Sequence, residues 1–260
     1  GTMKMYFFTH RGNRRSANQD VLLAGSRLAA ETNMDAVEAL SSDEPRILCA
    51  VIDGMGGHTG GEMAARIVGE CLLEERQALV DAPPEGAEEI ILRALGTAAR
   101  RMDDLAWEDR SLGSMRATIA GMVLDGERAL VFNCGDCRVY RLLSGVSEQL
   151  SRDHSEVQEL VDAGLLQREE MRFHPRKNIV TSAVQAGIGP DVAPFFCRAF
   201  PAGEDDVFFL CSDGVWEALS DEEIGECLAG TDGQAACGEL RRRLLATECR
   251  DNITFILAVP

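Results

Sequence analysis

The chain has 260 residues, of which 45% are hydrophobic, so it can bury a full core as one large domain or two small ones. Its formal net charge of −17 disfavours nucleic acid and anionic membranes as partners, because both would repel the surface, and suits a protein that collects cations. No segment approaches the roughly 20 consecutive apolar residues that cross a bilayer. The N-terminus lacks the apolar core of a signal peptide, which predicts a cytoplasmic protein, and Gly1-Thr2 before Met3 is typical of a cloning remnant.

The first part of the chain is predicted to contain three strands. Residues 4–10 and 21–24 are apolar runs on either side of a polar stretch, which indicates strand, loop, strand. Residues 29–45 have no consistent period and are predicted to be a loop with at most a helical turn. Residues 47–52 form a short, continuous apolar run, typical of a strand buried on both faces, that ends on Asp53 and a glycine-rich turn.

Helices and hairpins are predicted for the middle of the chain. Apolar stripes at helical spacing predict one helix from Gly61 and a second after Pro84. Three strand-like runs follow, and the Asp-Gly and Gly-Asp turns between them predict antiparallel neighbours at residues 116–124, 128–134 and 137–143.

The last part is predicted to mix helices and strands. Helical patterns cover residues 155–172, 215–229 and 237–246, and strand patterns cover residues 192–200, 206–211 and 253–259. Without a repeat or a linker, this order predicts one domain over residues 1–260, a sandwich of antiparallel sheets covered by helices.

The nine cysteines are odd in number and lie mostly inside apolar runs, which predicts buried, reduced thiols. Cys134 and Cys137 have the spacing of a zinc or redox pair. No second pair accompanies them, so this alternative is disfavoured.

Four aspartates mark strand ends. Asp20 and Asp251 come just before a predicted strand, and Asp53 and Asp213 come just after one. In an antiparallel sheet the start of one strand lies beside the end of its neighbour, so all four can converge on one rim. Four carboxylates repel one another unless cations lie among them, and oxygen-only ligands favour a pair of Mg²⁺ or Mn²⁺ ions over zinc. For each aspartate alone the alternative is a turn cap.

Seven motifs also resemble a known family. In this order they are similar to motifs of the metal-dependent serine/threonine protein phosphatases of type 2C, and to the bacterial members most closely. The motifs are RSANQD at 15–20, DGMGGH at 53–58, GDCRVY at 135–140, SRDHS at 151–155, HPRKN at 174–178, SDG at 212–214 and RDN at 250–252. The resemblance covers residues 6–259.

The resemblance implies an α+β fold, a four-layer α-β-β-α sandwich of two packed antiparallel sheets flanked by helices. It also implies a centre of two Mn²⁺ or Mg²⁺ ions at one end. Carried over residue by residue, Asp53 would bridge the two ions, Asp20 and the Gly54 carbonyl would ligate one, and Asp213 and Asp251 would ligate the other. A bridging water would attack phosphorus as hydroxide.

The activity implied is hydrolysis of phosphoserine and phosphothreonine in proteins, with a serine/threonine kinase and its targets as implied partners. Arg15 would hold the phosphate, since its planar fork suits a bidentate grip; the alternative is a solvated loop charge. Two other functions stay open. One is a non-catalytic regulatory or binding domain that keeps the fold, and the other is a two-metal hydrolase of another class of substrate, such as phosphodiesters.

Three histidines are candidates for positions near the site. His58 and His154 fall inside motifs, and each either lies near the site or forms a structural hydrogen bond. His174 lies within residues 155–180, which match a segment that forms a mobile flap beside the site in the family. Such loops set the choice of substrate more often than the chemistry.

The sequence departs from the family pattern near the site. Met55 stands where several eukaryotic members have a histidine proposed as general acid, and methionine cannot donate a proton. Gly113 falls at the position where an aspartate can hold a third metal, and Asp109 is out of register. Two tightly bound ions are therefore expected.

Overall fold

The computed structural model of the protein describes residues 1–57, 59–190 and 193–260. Its strands are β1 Met3–His10, β2 Asp20–Ala24, β3 Arg27–Ala29, β4 Glu38–Ser42, β5 Ile47–Met55, β6 Arg116–Leu124, β7 Arg128–Cys134, β8 Arg138–Leu143, β9 Val146–Gln149, β10 Val184–Gln185, β11 Phe196–Pro201, β12 Val207–Cys211 and β13 Ile253–Val259. Its helices are α1 Gly60–Glu74, α2 Arg76–Asp81, α3 Ala87–Glu108, α4 Glu156–Asp162, α5 Asp213–Trp216, α6 Asp221–Cys227 and α7 Gly233–Ala246. Within the described ranges, no helix is both long and apolar enough to span a membrane.

Two antiparallel sheets form the centre of the molecule. One has the strand order β4-β1-β13-β12-β8-β9, and the other has the order β11-β7-β6-β5-β2-β3, with β10 paired to β6. α1 and α3 cover the outer face of the second sheet, and α7 packs on β1 and β13 of the first. The prediction of a four-layer α-β-β-α sandwich is confirmed.

The alternation of side chains along β2 and β5 aims two carboxylates into the layer between the sheets. Leu22 and Val51 belong to the core between the sheets, whereas Ile52 packs with the helices outside. Side chains of a strand point alternately to its two faces. Asp20 and Asp53, which are in phase with Leu22 and Val51, therefore point into the inner layer at its end.

The prediction of a loop for residues 29–45 is correct for 30–37, which form no helix or strand, and wrong for Glu38–Ser42. These five residues form β4, which pairs antiparallel with β1, with Leu40 opposite Met5. Its side chains are only partly buried, and the sequence EALSS has little intrinsic preference for a strand. The open edge of β1 decides the structure here, and no local pattern reveals that edge.

The hairpin prediction is confirmed for β6 and β7 and wrong for β7 and β8. β7 belongs to one sheet and β8 to the other, and the chain crosses between the sheets at Gly135. Gly135 has φ of +110°, and a Cβ there would lie 2.3 Å from Cγ2 of Thr118. Gly-Asp resembles a hairpin turn in composition, but the glycine here permits a positive φ and a close approach of the backbone.

The cysteines are free thiols, as predicted, and all but the partly buried Cys197 are buried. Cys134 packs in the core under α1 and α3, whereas Cys137 packs between the sheets. The two thiols therefore belong to different layers, which removes the structural basis for a zinc or redox pair.

Candidate metal centre

A cavity of about 400 Å³ opens at one end of the layer between the sheets. Residues from distant parts of the chain line it, among them Arg15, Asp53, Asp136, Asn178, Asp213 and Asp251. Three of the four predicted carboxylates thus face one cavity. The fourth, Asp20, lies behind Asp53 as its register partner on β2.

Asp20 ties the two sheets together beneath the cavity. It is 1% exposed, and its Oδ2 accepts a hydrogen bond of 2.7 Å from Oγ1 of Thr254 on the opposite sheet. Its Oδ1 has no hydrogen-bond partner in the described residues. A buried carboxylate oxygen without a partner is costly, and a cation is the natural group to satisfy it.

Gly54 offers only its backbone to the cavity. Its N–H donates to the Gln19 carbonyl at 3.1 Å, and a Cβ there would lie 1.8 Å from the Gly61 carbonyl oxygen in the first turn of α1. A side chain is therefore excluded at this position, which lets β5 and α1 approach closely.

Asp213 and Asp251 are brought together by a second close backbone contact. Asp213 begins α5 two residues after the end of β12, and Asp251 lies two residues before β13. Between them, a Cβ on Gly214 would lie 1.9 Å from the Asn252 carbonyl oxygen. Carboxylate oxygens of Asp53, Asp213 and Asp251 all lie within 4.8 Å of one another, a separation that suits shared cations.

The carboxylates raise one another's pKa values. Burial, together with the charge of Asp251, raises the pKa of Asp20 and of Asp213 to about 7. Burial and the charge of Asp213 raise the pKa of Asp53 well above its ordinary value. The shared cause is negative charge held out of water, which divalent cations would neutralise. The all-oxygen donor set, with unpartnered oxygens on Asp20 and Asp213, fits hard cations such as Mg²⁺ or Mn²⁺.

Two acidic residues that sequence reasoning did not assign to the site extend it behind Asp213. Asp136 is 2% exposed, lines the cavity and leaves Oδ2 without a partner in the described chain. Its pKa is raised by burial and then by the charge of Asp213. Glu217, one helical turn after Asp213, has its pKa raised to about 9 by the same two causes. Glu217 could have been found from its spacing, four residues after Asp213, whereas the position of Asp136 depends on the crossing between the sheets.

Neither Gly113 nor Asp109, the residues considered for a third metal, lines the central cavity. Gly113 lines a separate concavity rather than the central cavity, and the Asp109 carboxylate accepts hydrogen bonds from Ser111. The further carboxylates beside Asp213 are Asp136, on the crossing loop, and Glu217, directly after α5.

Arg15, the predicted phosphate-binding residue, lies at the rim of the cavity. Its Nε donates to the Arg250 carbonyl at 3.2 Å and lies 3.8 Å from Oδ1 of Asp251. Among the described residues its two Nη atoms have no hydrogen-bond partner, and 58% of the side chain is exposed. This anchoring through Nε leaves the end of the guanidinium available for an anionic ligand.

The histidines that the structure describes do not line the cavity. His154 is half-buried, and its Nδ1 accepts a hydrogen bond of 3.0 Å from the Gly135 N–H. Burial lowers its pKa, so a neutral ring holds the crossing loop before Asp136. His174 accepts from the Arg176 N–H within the predicted flap. His58 lies outside the described residues.

Comparisons with known proteins agree with this geometry. A family model described as Protein phosphatase 2C matches residues 27–232. The serine/threonine protein phosphatase PstP of Mycobacterium tuberculosis is 31% identical over 253 residues, which cover 95% of this chain and 43% of that protein. The serine/threonine phosphatase stp of Listeria innocua is 30% identical over 200 residues, which cover 75% of this chain and 77% of that protein. The chain thus spans less than half the length of the mycobacterial relative.

Solved structures are similar over the whole chain. The crystal structure of M. tuberculosis PstP/Ppp has a TM-score of 0.83 at 25% identity, covering 100% of this chain and 99% of that one. The catalytic domain of PstP in complex with two manganese ions has a TM-score of 0.80 at 26% identity, with the same coverage.

Proposed function

The chain belongs to the protein phosphatase 2C family, and on that premise we propose that it hydrolyses phosphoserine and phosphothreonine monoesters in proteins with two divalent cations. The observation that carries the proposal is the group of Asp53, Asp213 and Asp251, whose oxygens lie within 4.8 Å of one another beneath Arg15. The two manganese ions in the PstP structure support the same cation chemistry here.

In this proposal Asp53, Asp20 and the Gly54 carbonyl would hold one ion, and Asp53, Asp213 and Asp251 would hold the other. When bound, the cations supply positive charge and lower the pKa of the attacking water. The chain's own residues do the rest. The Nη atoms of Arg15 donate to phosphate oxygens, and the carboxylates orient the ions by their fixed positions at the strand ends.

We further propose that residues 1–260 act as one catalytic domain with residues 155–180 as a flap. Asn178 and Val180 line the cavity, and Val180 pairs with Ser155 across the base of this segment. The proposed substrates are phosphorylated proteins, with a serine/threonine kinase and its targets as partners in the cytoplasm. A comparison of phosphoproteomes with and without the protein tests the partners.

Turnover of p-nitrophenyl phosphate with Mn²⁺ tests the reaction itself. We expect hydrolysis that is lost after dialysis against a chelator and restored by Mn²⁺ or Mg²⁺. A bis-aryl phosphodiester should react far more slowly. Preferred turnover of the diester would indicate a phosphodiesterase, and metal binding without turnover of either ester would indicate a non-catalytic domain.

The metal-free protein is expected to lose stability as the pH rises from about 4 to about 7. Asp20 and Asp213, with pKa values of about 7 when folded, keep their protons over this range. In the unfolded chain they lose them near pH 4. The folded state then binds more protons, so the free energy of unfolding falls as the pH rises. Thermal melting in chelator, compared with Asp213→Asn, measures the effect.

Saturating Mn²⁺ should reverse that trend, because cations bind the ionised carboxylates. The stabilisation by Mn²⁺ should therefore be larger at pH 8 than at pH 5. An equal shift in melting temperature at both values would show that these carboxylates are not the metal ligands.

Arg15→Ala is expected to lower kcat/KM by about ten- to a hundredfold, since it removes charge-assisted hydrogen bonds to phosphate. The loss should appear mainly as a raised KM, because the phosphoryl group is already anionic when it binds. Inorganic phosphate should also inhibit the variant less. Steady-state kinetics with phosphate titration measure both effects.

Arg14→Ala is the matched control. Arg14 carries the same charge one residue away but pairs with Glu248 at 3.3 Å, and it does not line the cavity. Equal losses in the two variants would reduce the role of Arg15 to general electrostatics.

A further inference from the structure

A second concave surface adjoins the metal centre and carries an exposed tryptophan. Trp107, near the end of α3, is 76% exposed, whereas Trp216, the only other tryptophan of the sequence, is 2% exposed. Trp107 lines a shallow concavity of about 340 Å³ with Asp103, Arg110 and Gly113. A large aromatic face left open on a concave surface is typical of an interaction site.

Asp103 places a carboxylate on the same concave surface as Trp107. The Asp103 carboxylate has no hydrogen-bond or ion-pair partner among the described residues. Gly187, which has no side chain, leaves space beside this carboxylate. A Cβ on Gly187 would lie 3.3 Å from Oδ1 of Asp103. The charged residues that line the concavity are one carboxylate, Asp103, and one guanidinium, Arg110. The C-terminal end of α3 adds partial negative charge. An aromatic face beside an unpaired carboxylate favours a lysine or arginine side chain.

This concavity and the metal cavity share a wall. Gly113 lines the concavity, and the backbone of Ser114 and Met115 packs on Gly56, which lines the metal cavity. A Cβ on Gly56 would lie 2.5 Å from the Ser114 carbonyl oxygen and 2.6 Å from the Met115 Cα. The two surfaces are therefore neighbours across this backbone contact, so a peptide bound at the metal cavity can extend towards the concavity.

We propose that Trp107 and Asp103 form a docking subsite for a lysine or arginine that lies a few residues from the phosphorylated residue of the substrate. The inference rests on the proposed phosphatase function. The overall charge supports it, because a chain of net charge −17 must bind a dianionic phosphate group. A basic residue in the substrate offsets that repulsion and steers the peptide to the acidic side of the cavity.

Matched phosphopeptides test the subsite. One series places a single lysine at successive positions on either side of the phosphothreonine, and the reference peptide has glutamine at those positions. We expect one register of lysine to raise kcat/KM about three- to tenfold. Trp107→Ala and Asp103→Asn should each remove most of this preference, which should also weaken at high salt. Neither variant should change the turnover of p-nitrophenyl phosphate.

Asp104→Asn is the control, because Asp104 is exposed next to Asp103 but does not line the concavity. A lysine preference that survives in Trp107→Ala, or that is lost equally in Asp104→Asn, would overturn the subsite while leaving the phosphatase function intact. Phe173→Ala tests a second exposed aromatic residue, which lies on the proposed flap. Loss of the preference there alone would also overturn the proposal.

Fluorescence gives a readout that does not need turnover. Trp107 is open to acrylamide and Trp216 is buried, so quenching reports on Trp107. The lysine peptide should protect the fluorescence against acrylamide, and the glutamine peptide should protect it less. Equal protection by both peptides would contradict a cation subsite. Loss of all aryl phosphate turnover would instead contradict the proposed function.

Discussion

Asp213→Asn is expected to abolish hydrolysis and, at the same time, to raise the melting temperature of the metal-free protein. Turnover should fall by at least about a thousandfold, because the substitution removes a ligand of a cation that would lower the pKa of the attacking water. For comparison, the loss of a single oxyanion donor already costs an enzyme about a hundred- to a thousandfold. Stability should rise because the carboxylate is buried among others. Holding a group with a pKa of about 7 ionised at pH 8 costs the folded state about 4 kcal/mol relative to an ordinary aspartate, and asparagine removes part of that cost.

The two effects separate a metal ligand from a residue that only supports the fold. Calorimetric titration with Mn²⁺ should show weaker binding by the variant, and melting in chelator should show the gain in stability. Asp104→Asn, an exposed carboxylate outside the cavity, should change neither. Wild-type turnover in Asp213→Asn, with an unchanged shift on adding Mn²⁺, would remove Asp213 from the metal centre.

The placement of the four aspartates could be predicted because each lies at the start or the end of a clear strand, and antiparallel pairing brings such ends together. Asp20 and Asp53 lie at opposite ends of their strands in the sequence, and pairing of the strands makes them direct partners. The strands that carry them are buried on both faces, so their apolar runs are unbroken and easily recognised.

Asp136 could not be placed in the same way, because its position depends on a contact between sheets. The sequence around Gly135 has the composition of a hairpin turn, and only the packing of Gly135 on Thr118 reveals the crossing. β4 was missed for a related reason, since its pairing depends on the open edge of β1. Long-range packing overrode the local pattern at both positions.

The other large effect, a loss of stability, is expected when a buried ion pair behind the metal centre is broken. Arg138 is 4% exposed, and its Nη2 donates to Oδ2 of Asp153 at 2.6 Å, while its Nε lies 3.0 Å from Oδ1. The Asp153 side chain is fully buried. Arg138→Met should therefore lower the free energy of unfolding by about 3 to 5 kcal/mol, because it leaves a buried carboxylate without its cation. Urea denaturation of the metal-free protein measures the change.

Two further variants test that explanation. Arg152→Met makes the same substitution in an exposed ion pair, that of Arg152 with Asp162. It should lower the free energy of unfolding by at most about 1 kcal/mol. Combining Arg138→Met with Asp153→Leu should recover much of the lost stability, since no unpaired charge then remains buried. A cost for Arg138→Met no greater than that for Arg152→Met would contradict the argument.

The double variant also shows whether Arg138 positions the metal centre. The Arg138 guanidinium lies 3.9 Å from the centre of a Trp216 ring, and Trp216 Nε1 donates to the Asp136 carbonyl at 2.8 Å. Trp216 is on α5, the helix that begins with Asp213. Arg138 therefore supports both Asp136 and Asp213 through one indole ring. If this support matters, the double variant should regain stability but bind Mn²⁺ about ten- to a hundredfold more weakly than the wild type. Wild-type affinity for Mn²⁺ in a stable double variant would limit Arg138 to a role in folding.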